Sequence, residues 1–200
     1  MLRANCCELP GTRGEPILSW RRFASHVLSI LILFFGVSSL PMVAGKTATL
    51  PQPEYRLRLY HTHTNERMDV VYRRGDHYIP SAIASLDGFL RDHRTGDVFQ
   101  LDPRVFDLLH DLAAAVGRPG SEIDIVCGYR TPWSNGFLRR TTSGVASHSL
   151  HMLGEAIDIR IPGVPTSEVR DAALALHRGG VGYYPESGFV HVDVGRVRRW

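Results

Sequence analysis

Apolar and polar positions alternate along residues 55–200 with two periods, one typical of strands and one typical of helices. RLRLYHTH and MDVVYRR alternate with a period of two and are separated by the polar residues 64–67, which predicts an antiparallel hairpin. Pro80 and Pro103 then open two segments with helical spacing. Their apolar side chains fall on one face of each predicted helix: Ile83, Leu86, Phe89 and Leu90 in the first, and Val105, Phe106, Leu108, Leu109, Leu112 and Val116 in the second.

The second half of the chain mixes short strands with helices. Apolar runs and period-two patterns predict strands in EIDIVC, AIDIRI, GGVGYY and GFVHVDV, and TPWSNGFLRR predicts a short helix. Residues 167–177 predict a further helix, with Thr166 or Ser167 as its N-cap. Helices followed by mixed strands are typical of an α+β domain. We therefore expect an α+β fold with a mostly antiparallel sheet flanked by helices.

Residues 1–44 have the pattern of a targeting segment. A pair of arginines precedes the apolar run VLSILILFFGV, and a proline and several small residues follow it. The run is shorter than the roughly 20 residues that span a bilayer. We expect a cleaved signal peptide in residues 1–44, with an uncleaved N-terminal anchor or a buried soluble helix as alternatives. Residues 45–54 are then a linker, and residues 55–200 form the folded domain.

The charge of the chain argues against nucleic acid as a partner. The formal net charge is +3, and residues 1–44 supply +2 of it, because four arginines there oppose two glutamates. Residues 45–200 are therefore nearly neutral, despite an overall pI of 8.9. They contain no arginine-rich helix and no alternation of basic and aromatic residues.

Polar residues on two predicted strands suggest a metal site. In AIDIRI the alternation places the isoleucines on one face and Asp158 on the other, and in GFVHVDV it separates the valines from His191 and Asp193. If the two strands bury their apolar faces together, the three polar side chains open onto the same side. His151 precedes the turn at Gly154 that leads into Asp158, so its imidazole can fold over that side. One aspartate and two histidines suit Zn²⁺ and leave a fourth position for water, as in catalytic zinc sites.

Two further candidates have simpler explanations. His61 and His63 share a strand face by the same alternation, but no acidic residue or third histidine follows at comparable spacing, and a solvated hairpin tip explains the pair. Cys127 ends an apolar run, which favours a small buried packing residue over a nucleophile.

The same residues carry a resemblance to a known family. Ser149-x-His151-x-x-Gly154-x-Ala156-x-Asp158, followed by His191-x-Asp193-x-Gly195, resembles the signature of the zinc D-Ala-D-Ala carboxypeptidase-like murein peptidases, which are related to the lysostaphin and hedgehog group. GYRTPWSN, SGVASHSLHMLGEAIDIR and GGVGYYPESGFVHVDVGRVRRW are similar to the bacterial murein-endopeptidase branch. The resemblance implies a hedgehog/D-Ala-D-Ala-peptidase-like fold and Zn²⁺ bound by His151, Asp158 and His191.

The resemblance also implies roles for other residues. Many relatives carry the general base three residues before the last ligand histidine, but that position is Gly188 here. Asp193 is then the first candidate for the base and Glu186 the second; the alternative for Asp193 is to orient a ligand histidine. Arg130 resembles the arginine that holds the substrate and stabilises the oxyanion, with a structural salt bridge as its alternative. Ser149 is a candidate for substrate contact.

The expected function is hydrolysis of peptide cross-links in peptidoglycan during cell-wall remodelling by a periplasmic zinc enzyme. A D,D- or L,D-carboxypeptidase acting on stem peptides would use the same zinc core. A non-catalytic, zinc-containing peptidoglycan-binding domain and a structural envelope protein are further alternatives. We expect a monomer whose partner is peptidoglycan, held at the inner membrane if the N-terminal segment is not cleaved.

Overall fold

The structure is a computed structural model that describes residues 51–142 and 144–200. These residues form eight strands: β1 (Glu54–His61), β2 (Arg67–Arg74), β3 (His77–Tyr78), β4 (Glu122–Cys127), β5 (Ala156–Arg160), β6 (Gly180–Tyr184), β7 (Phe189–Asp193) and β8 (Arg198–Arg199). They also form four α-helices: α1 (Pro80–Phe89), α2 (Pro103–Ala115), α3 (Pro132–Thr141) and α4 (Thr166–Leu176). A short 3₁₀ helix covers Leu150–Leu153.

The eight strands form one mixed sheet in the order β3-β2-β1-β4-β5-β7-β6-β8. The β1–β4 and β6–β8 pairs are parallel, and the other five neighbouring pairs are antiparallel. Together with the helices, this confirms the α+β class. The predicted hairpin is the β1–β2 pair, and the two-residue strands β3 and β8 are too short to have been recognised by periodicity.

The helices begin close to where their sequences predict. Pro80, Pro103 and Pro132 each occupy the first turn of a helix, where a missing N–H costs nothing. The predicted N-cap of α4 is wrong, because the helix already includes Thr166, and Pro165 occupies the cap position without a side-chain hydrogen bond.

One face of the sheet packs against the helices. The isoleucines of β5 and the valines of β7 are buried in a single core together with the apolar residues of α1 and α2. Each fully buried side chain of this size stabilises the fold by about 1.5–3 kcal/mol. Because alternate residues of a strand point to opposite faces, the same burial turns Asp158 and His191 away from the core.

The predicted signal or anchor segment, residues 1–44, lies outside the described residues, as does most of the predicted linker. The first strand begins at Glu54, one residue before the predicted start of the domain. Within residues 51–142 and 144–200, no helix combines the length and the apolar character needed to cross a membrane.

Candidate metal centre

Pairing between β5 and β7 brings two of the three predicted ligands together. Asp158 lies directly opposite His191 in this antiparallel pair, and Ala156 lies opposite Asp193. Facing residues of neighbouring strands have Cβ atoms about 4.5–5.5 Å apart, which suits side chains that share a ligand. His191 Nδ1 lies 2.9 Å from Asp158 Oδ1. The predicted common face of these two residues is confirmed.

His151 completes the cluster from the 3₁₀ helix that precedes β5. This helix ends at Gly154, whose φ of 68° is in the left-handed region that favours glycine. A Cβ there would also lie 2.9 Å from the carbonyl oxygen of Gln100, so the tight turn requires a residue without a side chain. The turn holds His151 Nε2 at 3.1 Å from Asp158 Oδ1 and at 3.1 Å from His191 Nδ1.

The three atoms fit the ligand set of a tetrahedral zinc ion. Nitrogen and oxygen ligands about 2.0–2.2 Å from Zn²⁺ are about 3.3–3.5 Å apart in tetrahedral geometry, close to the 2.9–3.1 Å separations here. Hydrogen bonds also orient both imidazoles. His151 Nδ1 donates to the Gly128 carbonyl at 2.8 Å, and His191 Nε2 donates to Asp193 Oδ2 at 3.2 Å. In the neutral imidazoles, the nitrogens that face Asp158 are therefore the ones that can bind a metal ion.

The electrostatics of the cluster are those of a buried site that holds a cation. Burial disfavours charge on His151, but the Asp158 carboxylate outweighs burial and raises the pKa of His151 to about 10. Burial likewise opposes ionisation of Asp158, but the two histidines hold the pKa of that carboxyl far below its usual range. Asp158 is therefore ionised at neutral pH, as a carboxylate that binds a metal ion must be.

Cys127 also lies at this centre, which sequence reasoning did not predict. Ligand atoms of Cys127, His151 and Asp158 all lie within 4.8 Å of one another, so a Cys-His-Asp set is a second combination that could hold a metal ion. Burial would raise the pKa of the Cys127 thiol, but His151 and Arg130 lower it below its ordinary value. The register shift between Ile125 and Cys127 places the thiol opposite Asp158. A β-bulge of this kind has no clear signal in a single sequence.

Asp193 lies behind His191 and has no exposed surface. Its Oδ1 accepts hydrogen bonds from the backbone N–H groups of Gly180 (2.8 Å) and Gly195 (2.9 Å), and both oxygens accept from the Arg198 guanidinium (3.0 and 2.7 Å). Together with His191, these donors occupy the carboxylate. The predicted role of general base does not fit this geometry, because a proton carrier must reach the substrate. The alternative, orientation of a ligand histidine, does fit.

A cleft of about 640 Å³ opens beside the cluster, and His151, Asp158 and His191 form part of its wall. Arg130 also lines this cleft, as predicted. Its Nη2 donates to Cys127 Sγ at 3.3 Å and lies 3.6 Å from Asp158 Oδ2. Arg130 therefore lies both on the cleft wall and within ion-pair distance of Asp158.

Asn135 lies near the start of α3 but does not cap this helix. Thr131 is the cap, since its side chain accepts from the backbone N–H of Ser134. Asn135 is buried instead, where its Oδ1 accepts from Arg130 at 3.4 Å and its Nδ2 donates to the Ala146 carbonyl at 3.0 Å. It thus links the guanidinium to the loop that borders the cleft.

Glu186 lines the cleft as well, and it is the only carboxylate besides Asp158 among the described residues of the lining. It lies in the turn between β6 and β7. Arg160 ties this turn to β5, since its Nε donates to the Gly188 carbonyl (2.8 Å) and its Nη2 to the Ser187 carbonyl (3.0 Å). These two hydrogen bonds restrain the turn that carries Glu186.

The remaining candidates lie elsewhere. Ser149 is buried at the start of the 3₁₀ helix and is absent from the described lining of the cleft, so the structure does not bring it to the cleft.

His61 and His63 are joined by His93, but the rings of His63 and His93 are stacked with their centroids 4.1 Å apart. A metal ion lies in the plane of each imidazole that binds it, so two stacked rings cannot share one ion.

Comparisons with known proteins identify the family of the chain. A family model described as "Peptidoglycan L,D-endopeptidase MepK" matches residues 51–200. A protein of Haemophilus influenzae named "Probable peptidoglycan L,D-endopeptidase MepK" is 38% identical over 173 residues, which cover 86% of this chain and 92% of that protein. The "Peptidoglycan L,D-endopeptidase MepK" of Escherichia coli K12 is 39% identical over 165 residues, covering 82% of this chain and 90% of the relative. The resemblance to the murein-endopeptidase branch is confirmed.

Proposed function

Because the chain belongs to the peptidoglycan L,D-endopeptidase MepK family, we propose that it is a zinc-dependent murein endopeptidase that hydrolyses peptide cross-links of peptidoglycan. The observation that carries this proposal is the convergence of His151 Nε2, Asp158 Oδ1 and His191 Nδ1 to within 3.1 Å of one another on the wall of a cleft. Membership of the family supports peptidoglycan as the substrate, and the cluster of His151, Asp158 and His191 supports metal-dependent hydrolysis.

Zinc is the ion that best suits these donors. Two imidazole nitrogens and one carboxylate oxygen are a ligand set of catalytic zinc sites, in which a fourth position stays open. When bound, Zn²⁺ supplies Lewis acidity, which polarises a peptide carbonyl and makes water a stronger acid. A Cys127 thiolate in the fourth position would close the site, as in structural zinc centres. We therefore assign Cys127 to packing, where it accepts a hydrogen bond from Arg130.

Arg130 is placed to act on the substrate carbonyl. Its guanidinium is buried beside the ligand Asp158, and its Nε has no hydrogen-bond partner within the described part of the chain. A permanently charged fork of donors stabilises the negative charge that develops on the carbonyl oxygen when water attacks. Asn135 and Cys127 hold the other guanidinium nitrogens, so the geometry is fixed before substrate binds.

Glu186 is the group we assign as proton carrier. The water oxygen forms a bond to the carbonyl carbon while Glu186 accepts a proton from the water, and the same proton then passes to the leaving nitrogen as the C–N bond breaks. This assignment rests on the position of Glu186 in the cleft and on the exclusion of Asp193, whose oxygens are occupied. Asp193 instead keeps the proton of His191 on Nε2.

An endopeptidase must accept chain on both sides of the bond that it cuts. Around the metal cluster, the cleft is lined by the hairpin tip, the loop after α1, the end of α3 with the following loop, and the β6–β7 turn, among other segments. An open groove of this kind can hold both arms of a cross-link. The names of the relatives favour the L,D bond, and we extend that preference to this chain.

The substrate also indicates where in the cell the protein acts. Peptidoglycan lies outside the inner membrane, and the predicted signal or anchor in residues 1–44 would deliver the domain to the periplasm. We propose periplasmic action on that basis.

The proposal is tested with the purified chain, zinc and isolated murein sacculi. We expect one zinc ion per chain, release of soluble muropeptides, and loss of zinc and activity together in His151→Ala, Asp158→Ala and His191→Ala, because each variant removes one of three ligands. Binding to sacculi without release would identify a non-catalytic binding domain. Full zinc occupancy in His191→Ala would overturn the ligand assignment.

A further inference from the structure

One part of the cleft wall is unused by the proposed chemistry. His63 comes from the turn between β1 and β2, and His93 and Arg94 come from the loop after α1; all three line the cleft. These residues are distant in sequence from the metal ligands. Because they line the same cleft as the ligands, we considered whether they bind the substrate.

The two histidines form a rigid surface. Their rings are stacked with centroids 4.1 Å apart and an interplanar angle of 10°. His61 supports the stack from beneath: it is fully buried, and its ring centroid lies 6.1 Å from that of His63 and 5.8 Å from that of His93. Phe89 packs edge-on against His61 at 5.9 Å. Stacking on His63 and the contact with His61 restrict rotation of the His93 ring.

The positive charge of this wall resides on Arg94. Burial and the neighbouring His63 lower the pKa of His93 to about 4, and burial and Arg94 lower the pKa of His63. Both imidazoles are therefore neutral at pH 7. A neutral imidazole still carries one N–H donor. His93 precedes Arg94 in the chain and both line the cleft, so we take the His93 N–H as the donor beside the guanidinium.

Arg94 and His93 have no acidic partner of their own. Within residues 51–142 and 144–200, no carboxylate lies within salt-bridge distance of the Arg94 guanidinium, and neither side chain donates a hydrogen bond. The nearby Asp92 is already engaged, because its Oδ2 accepts from Thr131 and its Oδ1 accepts from the backbone N–H of Arg94. A guanidinium and an N–H donor are thus available in a substrate cleft.

We propose that Arg94 and His93 form a subsite for a free carboxylate of the peptidoglycan stem peptide. This inference rests on the proposed function and adds a specificity determinant to it. Stem peptides carry carboxylates that are not engaged in amide bonds, on D-glutamate and on the diamino diacid of the cross-link. A planar guanidinium matches a carboxylate with two parallel hydrogen bonds, and the imidazole N–H supplies a third donor.

The test compares three purified cross-linked muropeptide dimers. The first has all its carboxylates free, the second has the D-glutamate carboxylate amidated, and the third has the free carboxylate of the diamino diacid amidated. We expect the zinc-loaded chain to cleave the free dimer with a kcat/KM on the order of tenfold to a hundredfold above that of one amidated dimer, which identifies the carboxylate bound.

Arg94→Ala should cleave all three dimers at the slow rate, because the partner of the carboxylate is gone. Arg94→Lys should recover only part of the difference, and His93→Phe, which keeps the stacked ring but removes the donor, should lose part of it. Arg118→Ala is the matched control, since Arg118 is exposed and lies outside the described lining of the cleft.

Two results would overturn the subsite. One is equal cleavage of all three dimers by the unaltered chain; the other is unchanged discrimination in Arg94→Ala. Failure of the unaltered, zinc-loaded chain to cleave any dimer would instead count against the proposed function.

Discussion

Replacing Asp193 by asparagine tests whether this residue orients the metal ligand His191 or transfers a proton. Asp193 Oδ2 accepts from His191 Nε2 and from Arg198, whereas Oδ1 accepts from two backbone N–H groups and from Arg198. The asparagine amide has one acceptor oxygen where the aspartate carboxylate has two. We expect it to retain the Oδ1 contacts, so that its NH₂ group faces two donors at the Oδ2 position.

The cost follows from those two contacts. Leaving the buried His191 donor unsatisfied costs about 1–3 kcal/mol before any relaxation, and the clash with Arg198 costs less, because that side chain is 30% exposed and water can reach it. His191 can relieve one of the clashes by moving its proton from Nε2 to Nδ1. That tautomer places a proton on the nitrogen that we assign to the metal. Loss of such a supporting contact typically weakens metal affinity by about 10- to 100-fold.

The assay is zinc affinity measured by competition with a chromogenic chelator, with thermal unfolding of the metal-free protein recorded in parallel. Asp193→Asn should bind zinc about 10- to 100-fold more weakly than the unaltered chain. Added zinc should restore much of its activity on sacculi. Asp76→Asn, at an exposed turn position, is the control. Unchanged zinc affinity with turnover reduced a hundredfold would refute the orienting role and return Asp193 to the role of general base.

Three further predictions concern single residues. Glu186→Gln should keep zinc and bind sacculi but hydrolyse them about a hundredfold more slowly, and near-normal turnover would exclude Glu186 as proton carrier. Arg130→Lys should keep zinc and lose activity on the order of a hundredfold, because an ammonium cannot reproduce the fork; turnover close to that of the unaltered chain would leave Arg130 a structural role. Burial opposes ionisation of Asp92, but hydrogen bonds from Thr131 and from the backbone N–H of Arg94 outweigh it and lower the pKa of the Asp92 carboxyl, so its stabilising contribution should be complete above about pH 4 and be lost as pH falls through the folded-state pKa. Urea unfolding should show Asp92→Asn less stable by about 1–3 kcal/mol at pH 7, with the difference shrinking in acid; a difference independent of pH would contradict this.

Strand alternation predicted that Asp158 and His191 share one face, because it depends on geometry that every strand shares. Ile157 and Val190 are each fully buried in the core, so the residues next to them in sequence must face the other way. The pairing of Asp158 with His191 needed only that β5 and β7 be neighbours. The position of His151 followed from a turn at Gly154 that only a residue without a side chain permits.

Alternation could not distinguish a side chain in the cleft from one behind it. Asp193 shares the face of His191, but it is enclosed by glycines and by Arg198. Side chains at Gly179 or Gly180 would collide with Asp193, so their absence makes room for the carboxylate. Arg198 reaches it from β8, a two-residue strand without periodicity. These contacts depend on residues distant in sequence or on strands too short to be recognised.

Two other residues of the cleft were missed for similar reasons. By alternation Cys127 would share the core face with Ile123 and Ile125, but the register shift after Ile125 places it at the metal centre instead. His93 follows a helix in an irregular loop, where no period relates it to the hairpin tip that it stacks on. Bulges and loop contacts are set by tertiary packing, which a pattern in one sequence does not record.

The most direct test of zinc-dependent endopeptidase activity is mass spectrometry of sacculi that contain both L,D and D,D cross-links, digested by the chain with and without zinc. We expect L,D-linked dimers to disappear with a matching gain of monomers. A chelator should stop the reaction, and added zinc should restore it. Loss of terminal D-Ala with every cross-link intact, or hydrolysis of cross-links that the chelator does not affect, would refute zinc-dependent endopeptidase activity.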